Sequence, residues 1–201
     1  GMSLFTLDTS LPGFSRGRNR EKLGQHCSDT SELFIDDVRV GADQILGGEG
    51  RGFINLMNEL PRERLILALG CVAACEGMIE RTVEYVTERK AFGQPISKLQ
   101  NTRFTMAELQ AQVKINKAFC NQCADEYDRG ELTAVDASTA KYTTSELQGQ
   151  VADACLQLFG GYGYMKEYPI ARDFVDARIQ RIYGGTSEIM KEIIARDLLG
   201  R

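Results

Sequence analysis

A single histidine, His26, stands in 201 residues. That scarcity argues against His-based nucleophile triads and against histidine-rich metal centres. Basic charge is not in excess either: 24 Lys and Arg face 28 Asp and Glu, for a net charge of −4. No cationic field therefore points to nucleic acid or to an anionic membrane. No apolar run approaches the roughly 18 residues of a membrane span. No targeting segment is visible, and there is no internal repeat or low-complexity stretch.

What is present is ordinary for a globular protein: 43% of the residues are hydrophobic, and the length suits one domain or one domain plus a fragment. The initial Gly1-Met2 reads as an expression scar. Six cysteines stand at positions 27, 71, 75, 120, 123 and 155. Four of them fall inside helical patterns rich in Ala, Leu and Val, which predicts buried free thiols and a reducing compartment. Cys120 and Cys123 form a Cys-x-x-Cys pair, which raises zinc or redox chemistry. Without a second ligand pair, no metal site is expected.

The chain changes character near residue 48. Before it, residues 4–7 and 32–40 read as strands, while Pro12-Gly13 and residues 16–22 read as turn and loop. Two strands make a marginal sheet by themselves, so residues 1–48 read as the end of a β-domain. After Gly52 the apolar period becomes helical, through Phe53, Met57, Leu60, Leu67, Cys71, Ala74 and Met78, and continues to about residue 90. Pro61 is expected to kink this helix, because it lacks an N–H and its ring crowds the preceding turn. Further helices are expected over about 97–129, 134–159 and 169–177, with Pro169 opening the third of these. A last helix starts near Thr186. Long helices with short links predict a mainly α fold, an antiparallel helical bundle over residues 49–201 preceded by the small β fragment.

Four glycine-bearing segments punctuate the helices. Gly47-Gly48-Glu49-Gly50-Arg51-Gly52 lacks the Lys-Ser/Thr of a phosphate loop and reads as a turn between domains. In Glu88-Arg89-Lys90-Ala91-Phe92-Gly93, the basic residues complement a helix C-terminus and Gly93 reads as its cap. Arg89 can also bind a phosphate through two parallel hydrogen bonds, with Phe92 packing on a ring system. Gln157-Leu158-Phe159-Gly160-Gly161 stops a helix, and its glycines also allow close backbone approach to a ligand. Tyr183-Gly184-Gly185-Thr186-Ser187-Glu188 supplies an N-cap from Thr186 or Ser187 and an acidic residue for the positive end of the helix. That same terminus is a ready site for an anion or a carbonyl.

The order and spacing of these segments resemble the acyl-CoA dehydrogenases. The resemblance covers nearly the whole chain. Residues 1–48 are similar to the last strands of that family's middle β-domain, and residues 49–201 to its C-terminal helical domain. The N-terminal helical domain and most of the β-domain are expected to lie outside these 201 residues. The resemblance implies noncovalent FAD and oxidation of acyl-CoA thioesters to trans-2-enoyl-CoA. It implies that Arg89 would bind the flavin pyrophosphate from a neighbouring subunit, Phe92 would pack on the cofactor and Gln100 would hydrogen-bond it. Gln157, Leu158, Phe159, Gly160 and Gly161 would line the adenine side, and Thr186, Ser187 and Glu188 would cap the FAD. Tyr183 and Gly184 would flank the thioester, with Arg64 and Gly185 also on the substrate side.

The base is the departure. Many members carry a glutamate directly after the tyrosine, where this chain has Gly184. The long-chain and isovaleryl branches carry it on the first helix of the domain instead. Pro61-Arg62-Glu63-Arg64-Leu65 together with Tyr183-Gly184-Gly185-Thr186 resembles the long-chain pattern and makes Glu63 the expected base, with Glu59 its nearest competitor. A base beside flavin and an apolar acyl chain is expected to be desolvated. The resemblance also implies a homo-oligomer, a dimer or tetramer, with electron-transfer flavoprotein as acceptor. The location would be cytoplasmic in a bacterium or the mitochondrial matrix in a eukaryote. Two alternatives stand beside this reading: an acyl-CoA oxidase or other flavoenzyme on the same scaffold, and a non-catalytic helical assembly module.

Overall fold

A computed structural model describes residues 1–200. The chain divides into two compact units, residues 1–60 and 61–201.

The first unit holds four short strands and the first turns of a helix. Strand β1 (Leu4–Phe5) pairs antiparallel with β4 (Ile45–Leu46), setting Leu4 opposite Leu46. Strand β2 (Phe14–Asn19) pairs antiparallel with β3 (Ser31–Ile35), and the register is irregular between Arg16 and Asn19. Part of the stretch expected as loop, residues 16–22, is therefore strand. A run such as Phe-Ser-Arg-Gly-Arg-Asn has little apolar periodicity, and its pairing comes from its partner strand. Arg20 beyond its end pairs with Glu32 at 2.6 Å, and the Arg16 guanidinium lies over the Phe14 ring at 5.8 Å. The expected strand over 32–40 stops at Ile35, because Asp37 takes a positive φ of 46° that no strand accommodates. The glycine-rich segment at 47–50 forms a turn, as its composition predicts.

The second unit is an antiparallel helical bundle. Helix α1 (Gly52–Glu88) begins in the first unit and runs unbroken through Pro61. Pro61, which lacks an N–H, is accommodated inside the helix without ending it. Helix α2 covers Gln100–Asp128, α3 Ala134–Phe159, α4 Pro169–Ala177 and α5 Ser187–Leu199. Thr133 caps α3 by accepting a hydrogen bond from the Asp136 N–H, and Thr186 caps α5 by accepting from the Ile189 N–H. The helix starts at 134, 169 and 187 fall within a residue of the sequence reading, since each is marked by a cap or by Pro169. Gly93 is not a helix cap. Helix α1 ends at Glu88, and strands β5 (Lys90–Ala91) and β6 (Gln94–Pro95) form a hairpin whose two turn residues, Phe92 and Gly93, both have positive φ.

Helix α3 lies at the centre, packed against α2, α4 and α5. The core joins Leu65, Ala68, Val72 and Met78 of α1 with Leu109 and Val113 of α2 and Leu147 and Val151 of α3. Five of the six cysteines are buried free thiols: Cys71, Cys75, Cys120, Cys123 and Cys155. Burial pushes the Cys71 and Cys123 thiols up to about 11 and Cys120 to about 12. The thiolate is the reactive form. The native chain is therefore expected to alkylate at Cys27 alone within minutes at pH 8, and at all six positions after unfolding. Mass spectrometry of iodoacetamide-treated protein checks this; rapid native labelling at Cys120 or Cys123 contradicts it. Among the described residues, no group of three or more His, Cys, Asp and Glu is placed to hold a metal ion. Among the described residues, likewise, no helix is long and apolar enough to cross a membrane.

Candidate active site

Two groups of the sequence-selected residues come together, both in the second unit. The first gathers around the turn before α5. Gly184 and Gly185 have φ values of 64° and 103°, a region that side-chain-bearing residues rarely occupy. Space is closed as well: a Cβ on Gly184 would sit 2.4 Å from Leu67 Cδ1, and one on Gly185 would sit 2.6 Å from Met190 Cε. Two glycines are needed here because the turn is tight and its neighbours leave no room.

Buried cations hold this turn. Arg64, only 6% exposed, donates from Nε to the Gly184 carbonyl at 3.4 Å and from Nη1 to Ser138 Oγ at 3.3 Å. Lys141, 1% exposed, donates from Nζ to the Gly185 carbonyl at 2.6 Å. Burial lowers the pKa of each, because the charged form is desolvated; the Arg64 charge adds to the lowering at Lys141. The Glu146 carboxylate accepts from Ser187 Oγ at 2.8 Å and pairs with Arg181 Nε at 3.2 Å, fixing the first turn of α5 to α3. Tyr183 donates from its hydroxyl to Gln180 Oε1 at 2.8 Å, and Cys71 Sγ lies 3.6 Å from the same oxygen. The exposed Glu188 carboxyl is held below its usual range by its own backbone N–H and by the Thr186 hydroxyl.

Glu63 occupies an exposed position on α1 beside the buried Arg64, and its charge acts favourably on that guanidinium. Glu63 thus immediately precedes, on α1, the arginine that holds the glycine turn at the N-terminus of α5. Chemically, a carboxylate and such a turn can remove a proton and receive a developing oxyanion.

The second group lines a cavity of about 610 Å³ that includes Tyr85, Arg89, Leu158, Phe159, Gly160 and Gly161. Phe159 stacks on Tyr85 with ring centroids 4.1 Å apart, and the Arg89 guanidinium lies over Tyr162 at 5.6 Å from its centroid. Cβ atoms on Gly160 or Gly161 would meet nothing within 4 Å, so the glycines leave the cavity wall bare. An aromatic shelf, an arginine and a side-chain-free wall suit a planar ring carrying a phosphate.

Phe92, Gln100 and Gln157 fall outside these two groups. Phe92 tips the β5–β6 hairpin and is 92% exposed with a φ of 52°, an unusual pairing for a large aromatic. Gln100 is exposed at the start of α2, and Gln157 is exposed in the last turn of α3. Sequence reasoning missed Lys141, Ser138 and Glu146. One signal was available: Ser138, Lys141, Thr144, Ser145 and Gln148 all lie on the buried face of α3, a polar stripe where apolar residues are expected.

Comparison with known proteins agrees with this architecture. Residues 50–199 match the family model described as acyl-CoA dehydrogenase, C-terminal domain. The mitochondrial long-chain specific acyl-CoA dehydrogenase of Mus musculus is 48% identical over 199 residues, covering 99% of this chain and 46% of the relative. The short-chain specific acyl-CoA dehydrogenase of Megasphaera elsdenii is 36% identical, covering 99% of this chain and 52% of the relative. The crystal structure of an acyl-CoA dehydrogenase from Geobacillus kaustophilus superposes with a TM-score of 0.95 at 42% identity, covering 98% of this chain and 52% of that one. The chain thus spans about half the length of the relatives it matches. On this match, with the helical bundle and the paired glycine turns in place, the chain belongs to the acyl-CoA dehydrogenase family, and residues 50–199 are its C-terminal domain.

Proposed function

We propose that this chain is the C-terminal part of an FAD-dependent enzyme that dehydrogenates acyl-CoA thioesters to trans-2-enoyl-CoA, with Glu63 as the base. The observation that carries the reading is the pairing of an accessible Glu63 with a glycine turn that has no side chain at 184. The Glu63 carboxylate takes the α-proton. The Gly184 N–H, on a turn fixed by Arg64, faces the thioester oxygen as negative charge develops there. Tyr183, tied to Gln180, flanks the same position.

When bound, FAD would supply the hydride acceptor for the β-carbon. The cavity wall of Gly160 and Gly161 with Arg89 beside it fits an adenine dinucleotide, Arg89 holding the pyrophosphate. Phe92, Gln100, Gln157, Thr186, Ser187 and Glu188 complete the cofactor contacts in this reading. Residues 1–48 serve as the end of the β-domain and residues 49–201 as the bundle. Electron-transfer flavoprotein is the proposed acceptor. A homo-oligomer fits the apolar surface of α2, where Phe104 and Ile115 are more than half exposed. Beta-oxidation in a mitochondrial matrix or a bacterial cytoplasm is the proposed setting.

The test is anaerobic flavin reduction by a series of acyl-CoAs, using the complete protein. Bleaching of the flavin band with at least one chain length is the expected result. No bleaching with any of them rejects the reading, and fast peroxide formation in air assigns the protein to the oxidases instead. The isolated 201 residues are expected to bind FAD weakly or not at all; a stoichiometrically yellow preparation contradicts this.

A further inference from the structure

We propose that Lys141 is a positioning residue for the proposed dehydrogenation, which with Arg64 clamps two consecutive carbonyls of the glycine turn and gives that turn a fixed positive field toward the thioester oxygen. The inference rests on the function proposed above and deepens it.

The geometry is specific. Arg64 comes from α1 and Lys141 from α3, and they take the carbonyls of Gly184 and Gly185 in turn. Two successive peptide planes are thereby fixed immediately after the Gly184 N–H. Glycines with φ of 64° and 103° have unusual backbone freedom, so the turn needs external anchors to present one orientation. Both anchors are buried side chains, and Arg64 is itself tied to Ser138.

The electrostatic arrangement carries the argument further. Two cations are buried on one turn; burial disfavours the charged form of each, and the Arg64 charge further disfavours that of Lys141. The N-terminus of α5 adds a third positive element at the same place. Simple packing does not require this: apolar residues of similar volume would fill the site at lower electrostatic cost. What such an arrangement favours is an anion that forms beside the turn. An enolate-like charge on a thioester oxygen is such an anion, and a field already in place needs no reorganisation when the charge develops. Glu146 and Glu188 are the acidic groups acting on Lys141, and both carboxylates are engaged elsewhere, with Ser187 and Arg181 and with the α5 N-terminus.

The experiment uses the complete, flavin-loaded protein with Lys141→Met and Lys141→Gln. Methionine removes both charge and donor; glutamine keeps a donor for the Gly185 carbonyl and removes the charge. Two rates are read: flavin reduction by acyl-CoA in a single turnover, and exchange of α-protons with solvent deuterium in an acyl-CoA analogue that has no β-hydrogen. Both are expected to fall at least about tenfold in Lys141→Met, with the substrate concentration for half-maximal rate changed less than about threefold. Lys141→Gln should show a loss in the same direction. Exchange within about threefold of the parent in either folded variant overturns the proposal. Loss of folding or of flavin in both variants also overturns it, since the lysine then only holds the bundle together. A parent protein whose flavin is reduced by none of the acyl-CoAs refutes the proposed function itself, whereas an active parent matched by its variants refutes only the role of Lys141.

Discussion

Glu63→Gln in the complete protein is expected to slow flavin reduction by acyl-CoA by about 10²–10⁴-fold, the range for loss of a general base, while FAD stays bound. The substitution is nearly isosteric and lies on an exposed face of α1, so folding should be unaffected. No other carboxylate takes over from the turn, because position 184 carries no side chain and its Cβ space belongs to Leu67. Glu59, one helical turn earlier, is the control: Glu59→Gln should leave the rate within about threefold. Stopped-flow absorbance of the flavin measures both. A Glu63→Gln protein within tenfold of the parent rejects Glu63 as base, and a collapse in Glu59→Gln alone transfers the role to that residue.

Gly185→Ala is expected to lower stability by about 2–4 kcal/mol, combining an unfavourable positive φ with overpacking against a closed neighbour. The φ of 103° lies outside the small left-handed region that alanine tolerates, and Met190, against which the new methyl would press, is fully buried. Relief requires moving either Met190 or the turn, and the turn is held at its next oxygen by Lys141. A melting-temperature loss of about 5–15 °C follows for a protein of this size. Catalysis should fall with it, because the turn carries both the Gly184 N–H and the cap of α5. Gly161→Ala provides the contrast, since its Cβ would meet nothing within 4 Å in this chain. Its effect should appear in FAD affinity and not in the melting of the flavin-free protein. Calorimetry of the two variants distinguishes the cases; equal melting shifts would contradict the reading of the turn.

How much of this was legible in the residues varies with the physics involved. The starts of α3, α4 and α5 are readable because Thr133, Pro169 and Thr186 act locally, through a cap or a fixed φ, on the residues beside them. Strand β2 is not, because its structure depends on a partner strand some fifteen residues away. Around Pro61 the apolar period carries on to about residue 90, and α1 accordingly runs as one helix to Glu88. In the site, Arg64, Gly184 and Gly185 are legible in the sequence, and in the fold Arg64 donates to the Gly184 carbonyl while Gly185 is held by Lys141. Lys141 was passed over because a lysine on a helix is usually a solvated residue, and only the packing of α3 against α1 and α5 reveals that this one is enclosed.

The hidden thiols bear on the company this protein is proposed to keep. Coenzyme A ends in a thiol, and its disulfides exchange with any protein thiolate they can reach. A cysteine near the surface of a coenzyme A enzyme is thus a standing target for mixed-disulfide formation, most of all when the pool turns oxidising. Here Cys71, Cys75, Cys120, Cys123 and Cys155 are withdrawn from solvent, and burial disfavours their thiolates. The bundle gains small apolar packing units that polarise readily without offering the ligand a nucleophile. Its core is thereby insulated from the redox state of the metabolite pool in which the enzyme would work, and Cys27 is left as the position where that state can be written on the chain.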